Sequence, residues 1–71
     1  MASAVRSELV GSVLEVLVRE GDEVTDGDPV VVLESVDTEV PVLAGSSGTV
    51  SSVPVSEGDV VQEGDVLAVL D

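Results

Sequence analysis

The chain has 71 residues, and its 15 acidic side chains outnumber its 2 arginines to give a formal net charge of −13. Such a surface repels nucleic acid and anionic membranes, which argues against both as partners. No Cys, His or Lys occurs, so disulfides, thiolate or imidazole metal sites and a histidine base are all unavailable.

At this length the chain is expected to be a single domain over residues 1–71, close to the smallest size that a hydrophobic core alone can hold together. That core has to be aliphatic, because the chain holds 19 Val and 7 Leu and no aromatic residue. Valine at this density favours β-structure. Ile, Asn, Lys, His, Cys, Phe, Tyr and Trp never occur. A GC-rich genome under halophilic selection depletes most of these, but the complete loss of Ile beside 26 Val and Leu fits a reduced, redesigned alphabet better.

At the N-terminus, "MASAVRSELV" lacks the charged start and apolar stretch of a signal peptide, and no apolar run approaches the roughly 20 residues of a membrane span. A soluble, cytoplasmic protein is expected. Next comes "GSVLEVLV", whose valines at 13, 16 and 18 break strict alternation and predict a bulged strand. "EGD" then predicts a turn, a second Gly-Asp follows six residues on, and "PVVVLE" reads as the next strand, with Pro29 at its entrance.

The segment Gly11 to Glu34 recurs as Gly48 to Asp71, an offset of 37 with twelve of 24 positions identical. Two copies in so small a chain predict two halves related by a pseudo-twofold axis around one core. Between them, Ser35 to Glu39 suits a tight hairpin with its tip at Val36, Asp37 and Thr38. The symmetry places both termini at the end opposite this tip. No window carries a helical period, so the fold class expected is all-β, a flattened barrel or sandwich of short strands. The expected core is Val10, Val13, Val16, Val18, Val24, Val32, Leu33, Val42, Val50, Val53, Val55, Val61, Leu67 and Val69.

With these segments in order, the chain resembles the biotinyl/lipoyl attachment domains, most closely the small biotin carboxyl carrier-like proteins. "VLEVLVREGDEVTDGDPVVVLES", "EVPVLAGSSGTV" and "VSEGDVVQEGDVLAVL" carry the resemblance over nearly the whole chain. It implies a barrel-sandwich hybrid of two four-stranded halves, with a modification hairpin at one end. In the family the tip reads Met-Lys-Met; here it reads Val36-Asp37-Thr38, so Asp37 stands where the acceptor lysine would be. An amide to biotin or lipoate requires a nucleophilic nitrogen, which a carboxylate cannot supply. The resemblance therefore implies a scaffold without biotin, and losing both methionines removes part of what biotin ligase recognises.

The neighbours Glu34, Ser35, Glu39 and Pro41 are remnants of that recognition or, more simply, hairpin structure, with Pro41 blunting an edge. The acidic turns Asp22, Asp26, Asp28, Glu57, Asp59, Glu63 and Asp65 lack calcium-loop spacing and read as solvated turns, not as a metal site. No catalytic residue is identified and no enzyme activity is expected. Two functional readings follow: a redesigned carrier scaffold that lacks its acceptor, or a natural, halophile-type acidic module that binds a protein partner. A sheet edge is the expected route to any weak homodimer.

Overall fold

The valine-rich segments form eight short strands in the computed structural model, which describes residues 2–71. They are β1 (Ser3–Arg6), β2 (Gly11–Val16), β3 (Glu23–Val24), β4 (Pro29–Ser35), β5 (Thr38–Leu43), β6 (Gly48–Ser52), β7 (Val60–Val61) and β8 (Val66–Leu70). Two antiparallel four-stranded sheets result, ordered β1-β8-β6-β3 and β5-β4-β2-β7. A shift of 37 residues carries one order onto the other, strand for strand.

The register repeats as well. Leu33 opposite Val40 recurs as Leu70 opposite Ser3, and Val31 opposite Val42 recurs as Ala68 opposite Val5. The predicted bulge is present between Val13 and Glu15, and its counterpart lies between Val50 and Ser52. Residues 3–6 thus take the place of the return strand that the second copy lacks, and the β8–β1 pair is a hairpin left open at the chain ends. The closed hairpin thus sits at one end of the domain, and the open pair of Ser3 and Leu70 sits at the other.

Each Gly-Asp turn is built alike. Gly21 and Gly58 hold φ of 93° and 92°, a left-handed conformation that glycine adopts without steric cost. The following aspartates fold back: Asp22 and Asp59 each accept, through Oδ2, the backbone N–H three residues earlier, from Arg19 and Ser56 at 3.0 and 2.8 Å. Asp28 and Asp65 do the same for Thr25 and Gln62. These four carboxylates close the turns from the surface, which gives the solvated turns a structural task as well.

The core holds Val5, Val13, Val24, Val30, Val31, Leu33, Ala44, Val50, Val61, Leu67, Ala68 and Leu70. Of the expected core, Val13, Val24, Leu33, Val50, Val61 and Leu67 are buried, while Val16, Val18, Val42, Val53 and Val55 pack against the cluster half-buried. Val32 and Val69 are half-buried outside it. Val10 is a correction: it precedes β2 instead of lying in the sheet and is 63% exposed. Ser7 is the buried polar side chain of this core, and its hydroxyl donates to the Leu9 carbonyl at 2.6 Å.

Where β2 meets β4 the backbones approach closely. A Cβ on Gly11 would lie 2.5 Å from the Glu34 carbonyl oxygen, whereas one on Gly45 meets nothing within 4 Å. Gly11→Ala is therefore expected to cost about 2 kcal/mol by urea denaturation, because two hydrogen-bonded strands have to part. Gly45→Ala is expected to stay within about 0.5 kcal/mol of the parent.

Candidate functional site

The hairpin that joins β4 to β5 pairs Leu33 with Val40, Glu34 with Glu39 and Ser35 with Thr38. Two residues remain for the loop, Val36 at φ 48° and Asp37 at φ 64°. Positive φ at both loop positions marks the type I′ class, whose twist matches that of the strands. The tip is thus Val36 and Asp37, with Thr38 already the first residue of β5.

The two loop residues fit this backbone unequally. Aspartate tolerates the left-handed region because its short polar side chain can bond locally. Valine does not, since its two γ carbons crowd the backbone there. Val36 is nevertheless 92% exposed, so no packing contact compensates for the strain. Val36→Asn is expected to raise stability by about 1 kcal/mol, read as a higher urea midpoint at unchanged slope.

Charge adds a second tension. Glu34 and Glu39 face each other directly across the ladder, and like charges in that position repel. Asp37 adds a third carboxylate at the tip. No arginine lines the depression beside it, whose walls are Val10, Gly11, Ser12, Glu34, Ser35, Val36, Asp37 and Val60. Arg6 donates from Nη1 to the Gly64 carbonyl at 2.8 Å.

The site residues expected from sequence, Glu34, Ser35, Val36, Asp37, Thr38 and Glu39, therefore lie together on one hairpin. Sequence reasoning missed Val10, Gly11, Ser12 and Val60. The ladder places Ser12 opposite both Glu34 and Val60, a neighbourhood that only strand pairing creates. Among the described residues, no group of three or more carboxylates is arranged to hold a metal ion.

A lysine-linked prosthetic group does not fit these residues. The exposed position at the tip carries a carboxylate, its neighbours are Val36 and Thr38, and the sequence contains no lysine. The fold itself is nonetheless that of a carrier. The chain belongs to the biotinyl/lipoyl attachment family: the family model described as "Biotin-requiring enzyme" matches residues 1–70.

A protein of Mycobacterium leprae described as "Biotinylated protein TB7.3 homolog" is 59% identical over 51 residues, which cover 72% of each chain. The biotin carboxyl carrier protein of Streptococcus mutans is 38% identical over 50 residues, 70% of this chain and 38% of that one. Among solved structures, the Kluyveromyces lactis urea carboxylase superposes with a TM-score of 0.93 at 35% identity, covering 100% of this chain and 6% of that one. The match thus spans under half the carrier protein and a small part of the carboxylase. What the sequences and folds share is a biotin-carrier-type domain.

Proposed function

We propose that this chain is a biotin-carrier-type domain that carries neither biotin nor lipoate and has no transfer activity of its own. The observation behind this reading is Asp37 at the tip of the attachment hairpin in a chain without lysine. Biotin ligase joins the biotinyl carbonyl of an activated adenylate to an amine, and the carboxylate of Asp37 has no nitrogen to offer. The hairpin keeps its two-residue turn and its pairing, so the attachment geometry outlives the chemistry.

The test is intact mass after incubation with biotin ligase, ATP and biotin. The parent chain is expected to stay unmodified, while Asp37→Lys gains one biotinyl group. Labelling of the parent would overturn the reading. Failure of both would mean that ligase recognition went with the lysine, which still supports a domain without biotin.

A second reading, an acidic module that binds a protein partner, is favoured by Val36. The tip holds an apolar side chain in a backbone conformation that disfavours it and in full contact with water. The missing residue types support a redesigned origin, and the excess of carboxylates supports a halophile-type one.

A further inference from the structure

We infer that the tip end of the domain is a docking surface for a protein segment that presents an apolar side chain flanked by arginine or lysine. This deepens the second reading above. Three valines surround one depression: Val10 is 63% exposed, Val60 75% and Val36 92%. Single exposed apolar residues call for no explanation, but three around one depression on so polar a surface do.

The pseudo-twofold supplies an internal control. At the opposite end, the same shift of 37 residues puts Ser47 at the position of Val10 and Glu23 at the position of Val60. The scaffold thus accepts polar residues at both positions, since one copy has them. Gly11 pairs with Val61 and Gly48 with Val24 in matching registers, so the two ends share a backbone and differ in what they display. Packing does not require the valines at the tip end. The strained backbone of Val36 points the same way, because Asn or Gly would close that turn at lower cost.

Charge selects the occupant. Glu34 and Asp37 line the depression with the valines, and Glu39 faces Glu34 directly across the hairpin. A partner's guanidinium or ammonium placed there relieves their repulsion and forms charge-assisted hydrogen bonds. A second copy would bring the same carboxylates and a charge of −13 against −13, and nucleic acid or an anionic lipid surface would be repelled alike. A small polyamine could meet the carboxylates but would leave the valines exposed. A cationic segment with apolar side chains set between its charges satisfies both groups.

The probe is the blocked peptide Arg-Leu-Lys-Leu-Arg, titrated into the full chain and followed by amide-resolved NMR, beside Arg-Ser-Lys-Ser-Arg of equal charge. The expected result is shifts confined to Val10–Ser12, Glu34–Glu39 and Val60, with the leucine peptide binding about tenfold tighter than the serine peptide. The double variant Val10→Ser, Val60→Glu copies the opposite end, so it retains a sequence the scaffold already tolerates. It adds a negative charge, which should strengthen any purely ionic attraction, yet it is expected to abolish the preference for leucine. Val36→Asn is expected to weaken leucine-peptide binding while the fold gains stability, a divergence that a purely structural role would not produce.

Equal binding of both peptides, or shifts spread over the acidic turns at both ends, would overturn the proposal, as would an unchanged preference in the double variant. The ligase mass test on the same sample is independent of this outcome. A biotinylated parent with a positive titration would sink only the reading without biotin, and an unlabelled parent without a leucine preference would sink only the docking surface.

Discussion

Leu33→Ala is expected to lower stability by about 3–5 kcal/mol, close to the whole stability of a domain this small, and so to leave much of the chain unfolded at room temperature. Leu33 is fully buried in β4, an inner strand of its sheet, between Val13 of β2 and Val40 of β5. Removing its side chain leaves a cavity walled by β-branched neighbours, whose restricted rotamers give them little scope to collapse into it. With no aromatic residue in the chain, no large ring stands by to fill the space.

The repeat provides a matched comparison. Leu70 is the pseudo-twofold equivalent of Leu33 and is 1% exposed. Its neighbours are Val50 and, in place of Val40, Ser3, and it is the last residue of its strand. Leu70→Ala is therefore expected to cost less, about 2–3 kcal/mol, because a residue at a strand end that faces Ser3 rather than a valine has surroundings that can move inward more readily. Leu14→Ala and Leu43→Ala remove leucines that are 41% and 51% exposed, and each should cost under about 1 kcal/mol. Urea denaturation of the four variants ranks them. Equal losses at Leu33 and Leu14 would show that the core is loosely packed.

These positions also show which features of the fold were legible in the sequence. The repeat was legible because identical Gly-Asp pairs recur at one offset, and it carried the two-sheet architecture with it. The bulges were legible from the spacing of Val13 and Val16. What the repeat implied but the expected core omitted is Leu70, although its partner Leu33 was included. Val30 and Val31 are both buried because the register shifts between Pro29 and Val31, and the unbroken run "PVVV" gives no phase from which to read that. Val5 was missed because β1 draws its order from β8, 60 or more residues away in sequence. A four-residue segment has no signal of its own without that partner.

The site divides along the same line. Its hairpin was legible, since local turn chemistry and the flanking strands specify it. The valines beside it were not. Val10 looked like core because a valine before a strand gives no sign of facing outward, and Val60 became a neighbour of the tip only through the pairing of β7 with β2. Local sequence encodes a two-residue turn, whereas a surface assembled from three separate segments exists only once the sheets have formed.

The stability of the domain is expected to rise steeply with salt, by an amount on the order of 3–5 kcal/mol between 10 mM and 1 M NaCl. Thirteen unbalanced negative charges share a body with a radius of gyration of 11.0 Å and extents of 33 × 19 × 18 Å. At 10 mM salt the screening length is about 30 Å, so almost every carboxylate feels every other one, and at 1 M it is about 3 Å, so only immediate neighbours interact. Unfolding spreads the same charges over a larger volume, and repulsion at low salt therefore favours the unfolded chain. Salt can also strengthen apolar burial, and that contribution has to be separated from screening. Asp26, Glu57 and Glu63 are exposed, and their carboxylates take no part in the hydrogen bonds that close the turns, unlike those of Asp22, Asp28, Asp59 and Asp65. Changing these three to lysine alters the charge by two at each position, from −13 to −7, while leaving the turn bonds in place. In urea melts at several NaCl concentrations, the triple variant is expected to be the more stable chain at 10 mM and to show a markedly flatter salt slope. Equal slopes for parent and variant would assign the salt effect to burial instead, and a parent that is fully stable at 10 mM would show that its close-packed valines outweigh its charge.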